Sequence, residues 1–354
     1  MKIIVIGAGI FGVTITLELS KRHDVTLVDS NNYILQNASK VNHNRIHFGF
    51  HYPRSEATAW QCLEGYELFY DYFKNAITFD FPNYYMIERN SLTSIKYYEY
   101  FCNVLKLNYT KERPDIEMNF DRIESSYSVF EPIFDYSLIE LKLKNNLQES
   151  KIKLILNKEI KSKKDLKGYD IIINATYFNI NKLKRIFDLP QTKLRLQTVI
   201  IPIFKWHRDK IGLTIMDGKY CSIMPKGFNQ DTFLLYHAKE SVIFETEREV
   251  IPLSWYFGKK IINNRFIKKE IYDKYIAKYY INRIVEASWE YFTFLKDCKI
   301  VDYWQTVRAL PVNNNDERLS IFDISERGNQ KVISVLSGKI STCLLTAQNI
   351  SKIL

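Results

Sequence analysis

Short apolar runs set the rhythm of this chain. Lys2-Ile-Ile-Val-Ile6 and Val25-Thr-Leu-Val28 predict two strands with a helix between them. Lys153-Leu-Ile-Leu156 and Asp170-Ile-Ile-Ile-Asn174 have the near-continuous apolar character of strands buried on both faces of a parallel sheet. Helices are predicted over 57–74, 92–105 and 135–148, the last with Leu138, Leu141 and Leu147 on its apolar face, and a strand over 84–88. The middle of the chain differs: 196–204, 220–224 and 232–237 read as strands separated by turn signals, as in an antiparallel sheet. A long helical segment from Ile267 to about Phe294 then places Ile267, Ile271, Ile284 and several tyrosines on one side. Val332-Ile-Ser-Val-Leu336 leads through Ser337-Gly338-Lys339 into a last helix, so strand, glycine turn and helix close the chain as they opened it.

The opening carries the most specific signal. Gly7-Ala-Gly9-Ile-Phe-Gly12 follows an apolar strand and starts a helix, with Asp29 at the end of the next strand, an arrangement that holds a dinucleotide pyrophosphate. Gly7 permits the tight turn, Gly9 leaves no Cβ between backbone and phosphate, and Gly12 lets the helix pack closely on the strand. The helix N-terminus offers N–H groups to the anion, and Asp29 is placed to accept hydrogen bonds from a ribose. A secretory leader is not expected, because the uncharged run from Ile3 to Leu17 is broken by three glycines and followed by Glu18.

Composition narrows the class. A length of 354 residues suggests two domains, and 46% hydrophobic residues is ordinary for a globular protein. No later apolar run reaches the roughly eighteen residues of a membrane span. Cys62, Cys102, Cys221, Cys298 and Cys343 are scattered without a C-x-x-C pair, which predicts reduced thiols in a cytoplasmic protein and neither a disulfide frame nor a zinc site. The net charge of +10 favours acidic partners, although runs such as 158–167 and 259–269 read as solvated faces. No helix-turn-helix, zinc-finger or RNP signature accompanies the charge, so no nucleic acid partner is expected. The basic segment 267–294 leaves peripheral membrane contact open but reads first as a core-facing helix.

Three further pieces join the glycine fingerprint. One is Ala38-Ser39 through Asn44-Arg-Ile-His47-Phe-Gly49-Phe-His51-Tyr52-Pro53-Arg54, a second is Asn174-Ala175-Thr176, and the third is Gly338-Lys339-Ile340 before the last helix. With these in order, and with Arg308-Ala-Leu-Pro311 upstream of the third, nearly the whole chain resembles the D-amino acid oxidase (DAO) family of FAD-dependent oxidoreductases. The histidine-bearing loop is most similar to the glycerol-3-phosphate dehydrogenase and L-2-hydroxyglutarate oxidase branch. The resemblance implies an α/β protein with a Rossmann-like FAD-binding domain of the glutathione reductase type 2 class and a substrate domain built on a mixed, largely antiparallel sheet. It assigns 1–80, 131–192 and 300–354 to the first domain and 81–130 and 193–299 to the second. It implies FAD contacts from Gly7, Gly9, Ile10, Phe11, Gly12, Asp29, Ser30, Ser39, Asn44, Arg45, His47, Ile160, Ala175, Thr176, Gly338, Lys339 and Ile340. Tyr177 stands where the family has glycine, which questions the close backbone approach there. Covalent flavin attachment, known in the family, would fall to His47 or Cys343.

The loop also carries the candidate chemistry. His43, His47 and His51 have a spacing of four that would suit a metal on a helix, but the Glu of H-E-x-x-H is missing and Gly49 and Pro53 argue against a helix, so no metal is expected. In an extended segment His47, Gly49 and His51 share one side, with His43 expected on the surface. His51 is the candidate general base, with Tyr52 beside it, for an alcohol substrate. Tyr236, Arg308 and His51 are the candidate substrate-binding residues, with Arg308 preferred over Arg54 as the anion anchor. The expected reaction is oxidation of a CH–OH or CH–NH group in a small polar or anionic substrate, with hydride passing to the flavin and dioxygen or another acceptor reoxidising it. The H-x-G-x-H-Y-P-R-S form of the loop resembles relatives in surface-carbohydrate pathways, which suggests a sugar or nucleotide-sugar substrate. The alternatives are a flavin-dependent sugar mutase or monooxygenase, and a dinucleotide-binding regulatory protein without turnover.

Overall fold

The computed structural model describes residues 1–218, 221–228, 231–247, 260–262, 265–267, 272–312 and 317–354. Within them, two large sheets organise the chain. The first has six strands in the order Ile321–Arg327, Gln330–Leu336, Ile171–Asn174, Lys2–Ile6, Asp24–Val28, Lys153–Ile155. Its last five strands run parallel, and Ile321–Arg327 joins by an antiparallel hairpin. The central strand is buried on both faces: Ile3 and Val5 pack towards the helices Ile10–Leu19 and Cys343–Lys352, while Ile4 and Ile6 face Leu183 and Phe187. Ile10–Leu19 is apolar nearly all round and buried to match.

The second sheet has nine strands in the order Val242–Thr246, Leu194–Lys205, Thr232–His237, Cys221–Pro225, Gly212–Met216, Asn83–Glu88, Ile123–Val129, Tyr109–Lys111, with Lys299–Pro311 also paired to Leu194–Lys205. It is antiparallel except where Gly212–Met216 runs parallel to Asn83–Glu88. The helix Lys278–Ser288 covers it through Ile281 and Ile284. The α/β architecture expected from the sequence is thus present, a parallel sheet with helices beside a mixed and mainly antiparallel one.

Several expectations need correction. Lys299–Pro311 runs in the second sheet, paired along the whole of Leu194–Lys205. The helix Tyr136–Glu149 buries Ile139, Leu143 and Leu147, leaving Leu138 and Leu141 exposed, because the i, i+4, i+8 ridge faces the core. Lys153–Ile155 is an edge strand with Leu154 exposed, so its apolar run is not sandwiched. Ile267 ends a short strand, Arg265–Ile267, and among the described residues the helical segment that follows spans Tyr272–Ala277 and Lys278–Ser288. Tyr220, Lys259, Lys268, Lys269 and Ile271 lie outside the described residues. No described helix is long and apolar enough to cross a membrane.

Candidate active site

The carboxyl ends of the parallel strands lie along one edge of the first sheet, and the loops leaving them form a cleft of 1590 Å³ whose other wall is the second sheet. Ligands of open α/β sheets bind at this edge. The volume exceeds the roughly 300–1,000 Å³ of an ordinary small-molecule site, enough for a dinucleotide and a second ligand together.

At one end the glycine-rich turn follows Ile6. Gly7 has φ +105°, and a Cβ there would meet the Ala175 carbonyl oxygen at 2.5 Å. A Cβ on Gly12 would lie 1.7 Å from the Gly7 carbonyl oxygen, so this glycine packs behind the turn and does not line the cleft. Gly9, Ile10 and Phe11 do line it, with the first turn of the helix open towards the cleft. Ser39 Oγ accepts the Ile10 N–H at 3.0 Å, supplying the helix start with an acceptor from a separate loop. Asp29 braces the turn: one carboxylate oxygen accepts the Ala8 N–H at 2.6 Å and the other the Asn31 N–H at 2.7 Å. Ser30 and Ile160 flank it on the cleft wall. A backbone cradle that tolerates no Cβ, a helix start and a strand-end carboxylate fit the adenosine and pyrophosphate of FAD.

Ala175 and Thr176 continue the wall. Tyr177 has φ +55°, the left-handed conformation that favours glycine, so the backbone keeps the shape the glycine would give it. Its ring packs against Leu194, Leu196, Val307 and Ala309.

At the other end, the histidine loop meets the start of the last helix. The Lys339 ammonium lies 4.4 Å from the centre of the Tyr52 ring. Gly338 is wedged under the 318–320 segment, where a Cβ would fall 1.9 Å from the Arg318 carbonyl oxygen, and its N–H donates to Ser320 Oγ at 2.8 Å. Ile340 completes this end of the lining. The His47 and His51 rings are 5.2 Å apart, and both line the cleft. Gly49, with φ +117°, turns away from them, which departs from the expectation that all three share a side.

Burial, reinforced by Arg45, Lys339 and neighbouring histidines, holds His47 and His51 well below the usual histidine range, so both are neutral at physiological pH. His43, expected on the surface, lies in the cleft instead. Its Nδ1 is 3.2 Å from Ser222 Oγ, its ring meets Tyr236 edge-on, and burial together with Arg45, Arg308 and Lys339 lowers its pKa to about 3. Burial and the Arg45 guanidinium likewise bring Lys339 down to about 7.

Arg308 stacks over the Tyr236 ring at 5.2 Å, and its Nη2 donates to Gln197 Oε1 at 2.6 Å. Arg54 is committed elsewhere, making a two-bond pair with the buried Asp217 at 2.9 and 3.2 Å. Arg45 lines the cleft but is held from behind, donating to Tyr85 Oη at 2.8 Å and Thr214 Oγ1 at 2.5 Å. Asn44 is fully buried with φ +55° and is not among the residues lining the cleft. Cys343 is also off the cleft, and burial pushes its thiol up to about 12. Among the described residues no group of three or more His, Cys, Asp or Glu could hold a metal.

The sequence reading passed over a buried acid behind the histidine loop. Glu131 accepts the Tyr85 hydroxyl at 2.5 Å and the Phe48 N–H at 2.8 Å, and its carboxylate is 3.6 Å from Arg45 Nε and 3.8 Å from His47 Nδ1. It thereby ties the histidine loop to the second sheet. Nothing in its neighbourhood, Phe130-Glu131-Pro132, marks it in a sequence.

The family profile described as DAO, FAD dependent oxidoreductase, matches residues 2–324. The FAD-dependent monooxygenase FPY4 of Fusarium mangiferae is 22% identical over 355 residues, covering 98% of this chain and 89% of that protein. Glycine oxidase from Geobacillus kaustophilus has a similar structure, with a TM-score of 0.69 at 12% identity over 99% of this chain and 93% of that one. L-α-glycerophosphate oxidase from Mycoplasma pneumoniae, solved with FAD bound, gives 0.68 at 14% identity over 100% and 94%.

Proposed function

Because the chain belongs to the DAO family of FAD-dependent oxidoreductases, we propose that it oxidises a CH–OH or CH–NH centre of a small polar or anionic substrate seated among His51, Tyr52, Tyr236 and Arg308. The observation that carries this is the meeting of neutral imidazoles with cationic side chains at the end of the cleft away from the glycine turn. When bound, FAD supplies the two-electron acceptor. His51, neutral at physiological pH, takes the proton from a substrate hydroxyl, while an amine in its neutral form needs no such base. Arg308 offers its guanidinium to a carboxylate or phosphate, and Tyr236 holds that guanidinium in place from below. Lys339, beside Tyr52 and brought down to about 7, can hold or release a proton where the last helix begins.

A sugar or nucleotide sugar is the finer reading, supported by the form of the histidine loop and by a cleft larger than a single small-molecule site. The test is anaerobic mixing of the purified protein with sugars, nucleotide sugars, hydroxy acids and amines, without NAD(P)H. Bleaching of the flavin by one of these classes is expected, followed by recovery on admitting dioxygen or another acceptor. Bleaching by NAD(P)H alone would instead favour monooxygenase or mutase chemistry.

A further inference from the structure

The second sheet brings two arginines to the same wall of the cleft. Leu194–Lys205 and Lys299–Pro311 are antiparallel with Gln197 opposite Arg308 and Arg195 opposite Leu310. Residues opposite or diagonal on one face of such a pair are neighbours, and Arg195, Gln197 and Arg308 all line the cleft. They are linked through one carboxylate: Arg308 Nη2 donates to Gln197 Oε1 at 2.6 Å, Gln197 Nε2 donates to Glu245 Oε2, and that oxygen is 3.9 Å from Arg195 Nε. Glu245 thus pairs with Arg195 and reaches Arg308 only through the Gln197 amide. The Nε–H groups of Arg195 and Arg308 are both buried without a hydrogen-bond acceptor. Buried donors ordinarily have one, and two orphans on one wall call for acceptor oxygens brought by a ligand. Arg185, Lys193 and Glu247 also line the cleft.

We propose that Arg195 and Arg308 form a paired-guanidinium subsite for a phosphoryl group, so that the substrate carries a phosphate or diphosphate away from the carbon that is oxidised. One guanidinium fork occupies both oxygens of a carboxylate, whereas the additional oxygens of a phosphate allow it to bridge two forks. The proposal rests on the reading of this cleft as the substrate site and narrows the substrate to phosphorylated compounds.

The experiment is calorimetric titration of the FAD-loaded protein with inorganic pyrophosphate, for the unmodified chain, Arg195→Gln and Arg195→Lys, with flavin content measured on each sample. Pyrophosphate is expected to bind the unmodified protein, and Arg195→Gln to weaken it by about tenfold or more with flavin content unchanged. Arg195→Lys, which keeps the charge and loses the fork, is expected to fall between the two and decides the matter should the glutamine variant not fold. Absence of binding to the unmodified protein, equal affinity in the variants, or loss of flavin from them would overturn the subsite. The oxidation reading fails on a different readout, a flavin that no substrate class reduces.

Discussion

Replacing Gly12 by alanine tests the cofactor cradle at its tightest contact. The new Cβ would sit 1.7 Å from the Gly7 carbonyl oxygen, 1.3 Å inside the 3.0 Å that real Cβ contacts keep, and 2.9 Å from the Gly7 carbonyl carbon. Both atoms are backbone, so no side chain can rotate away. The helix Ile10–Leu19 must retreat or the turn must open, at a cost of about 3 kcal/mol by comparison with overpacked cores. That is a large part of a net stability of about 5–15 kcal/mol. The turn also presents its N–H groups to the pyrophosphate, and losing one hydrogen bond to a charged group costs about 1.5–3 kcal/mol, or roughly 10- to 150-fold in FAD affinity. Gly168→Ala is the control: its φ is +87° but nothing lies within 4 Å of the added Cβ. It should cost only backbone strain, about 1–2 kcal/mol, and leave FAD binding intact. Urea unfolding of the apoprotein gives the stability change, and flavin absorbance per chain gives occupancy. If Gly12→Ala keeps full flavin and its unfolding midpoint, or if Gly168→Ala loses flavin to the same extent, the close-packing argument is wrong.

Three other outcomes follow from the geometry. His43, His47 and His51 are held below the 6.5 of an unfolded histidine, so below pH 6.5 the unfolded chain binds more protons; the stability is complete above that pH and is lost as pH falls. Apoprotein unfolding midpoints between pH 7.5 and 5 should therefore drop less steeply for His43→Asn, and superimposable curves would contradict this. Arg54→Ala leaves the fully buried Asp217 with Thr93 but without its cation and should cost about 3 kcal/mol in urea unfolding with flavin retained; an unchanged midpoint would show the pair to be idle. His51→Gln should lower kcat on an alcohol substrate about 100-fold or more at unaltered flavin content, while an amine substrate is spared; equal losses on both would remove His51 as the base.

The centre of the first sheet was legible because Lys2–Ile6, Asp24–Val28 and Ile171–Asn174 are buried, which makes them continuous apolar runs, and because the turn after Ile6 demands glycine for steric reasons visible in the contacts of Gly7 and Gly12. What was not legible depends on distant partners. His43 looks like any loop polar residue until Ser222 and Tyr236, nearly two hundred residues away, close over it. Glu131 gains its place only when the second sheet brings Arg45 and Tyr85 together around it. The strand Lys299–Pro311 precedes the closing strand–turn–helix in the chain, so its pairing with Leu194–Lys205 could not be separated from its sequence neighbourhood. In Tyr136–Glu149 the buried ridge runs through Ile139, Leu143 and Leu147, and the exposed Leu138 and Leu141 beside it give the sequence a second apparent apolar face.

The cleft is read as an FAD site running from the glycine turn to the meeting of the histidine loop with Lys339. The most direct test is the visible spectrum of the pure protein before and after acid precipitation. A flavin spectrum with about one FAD per chain released into the supernatant is the result this reading predicts for a noncovalent dinucleotide site. A colourless protein, or one that takes up NAD in place of flavin, would contradict it.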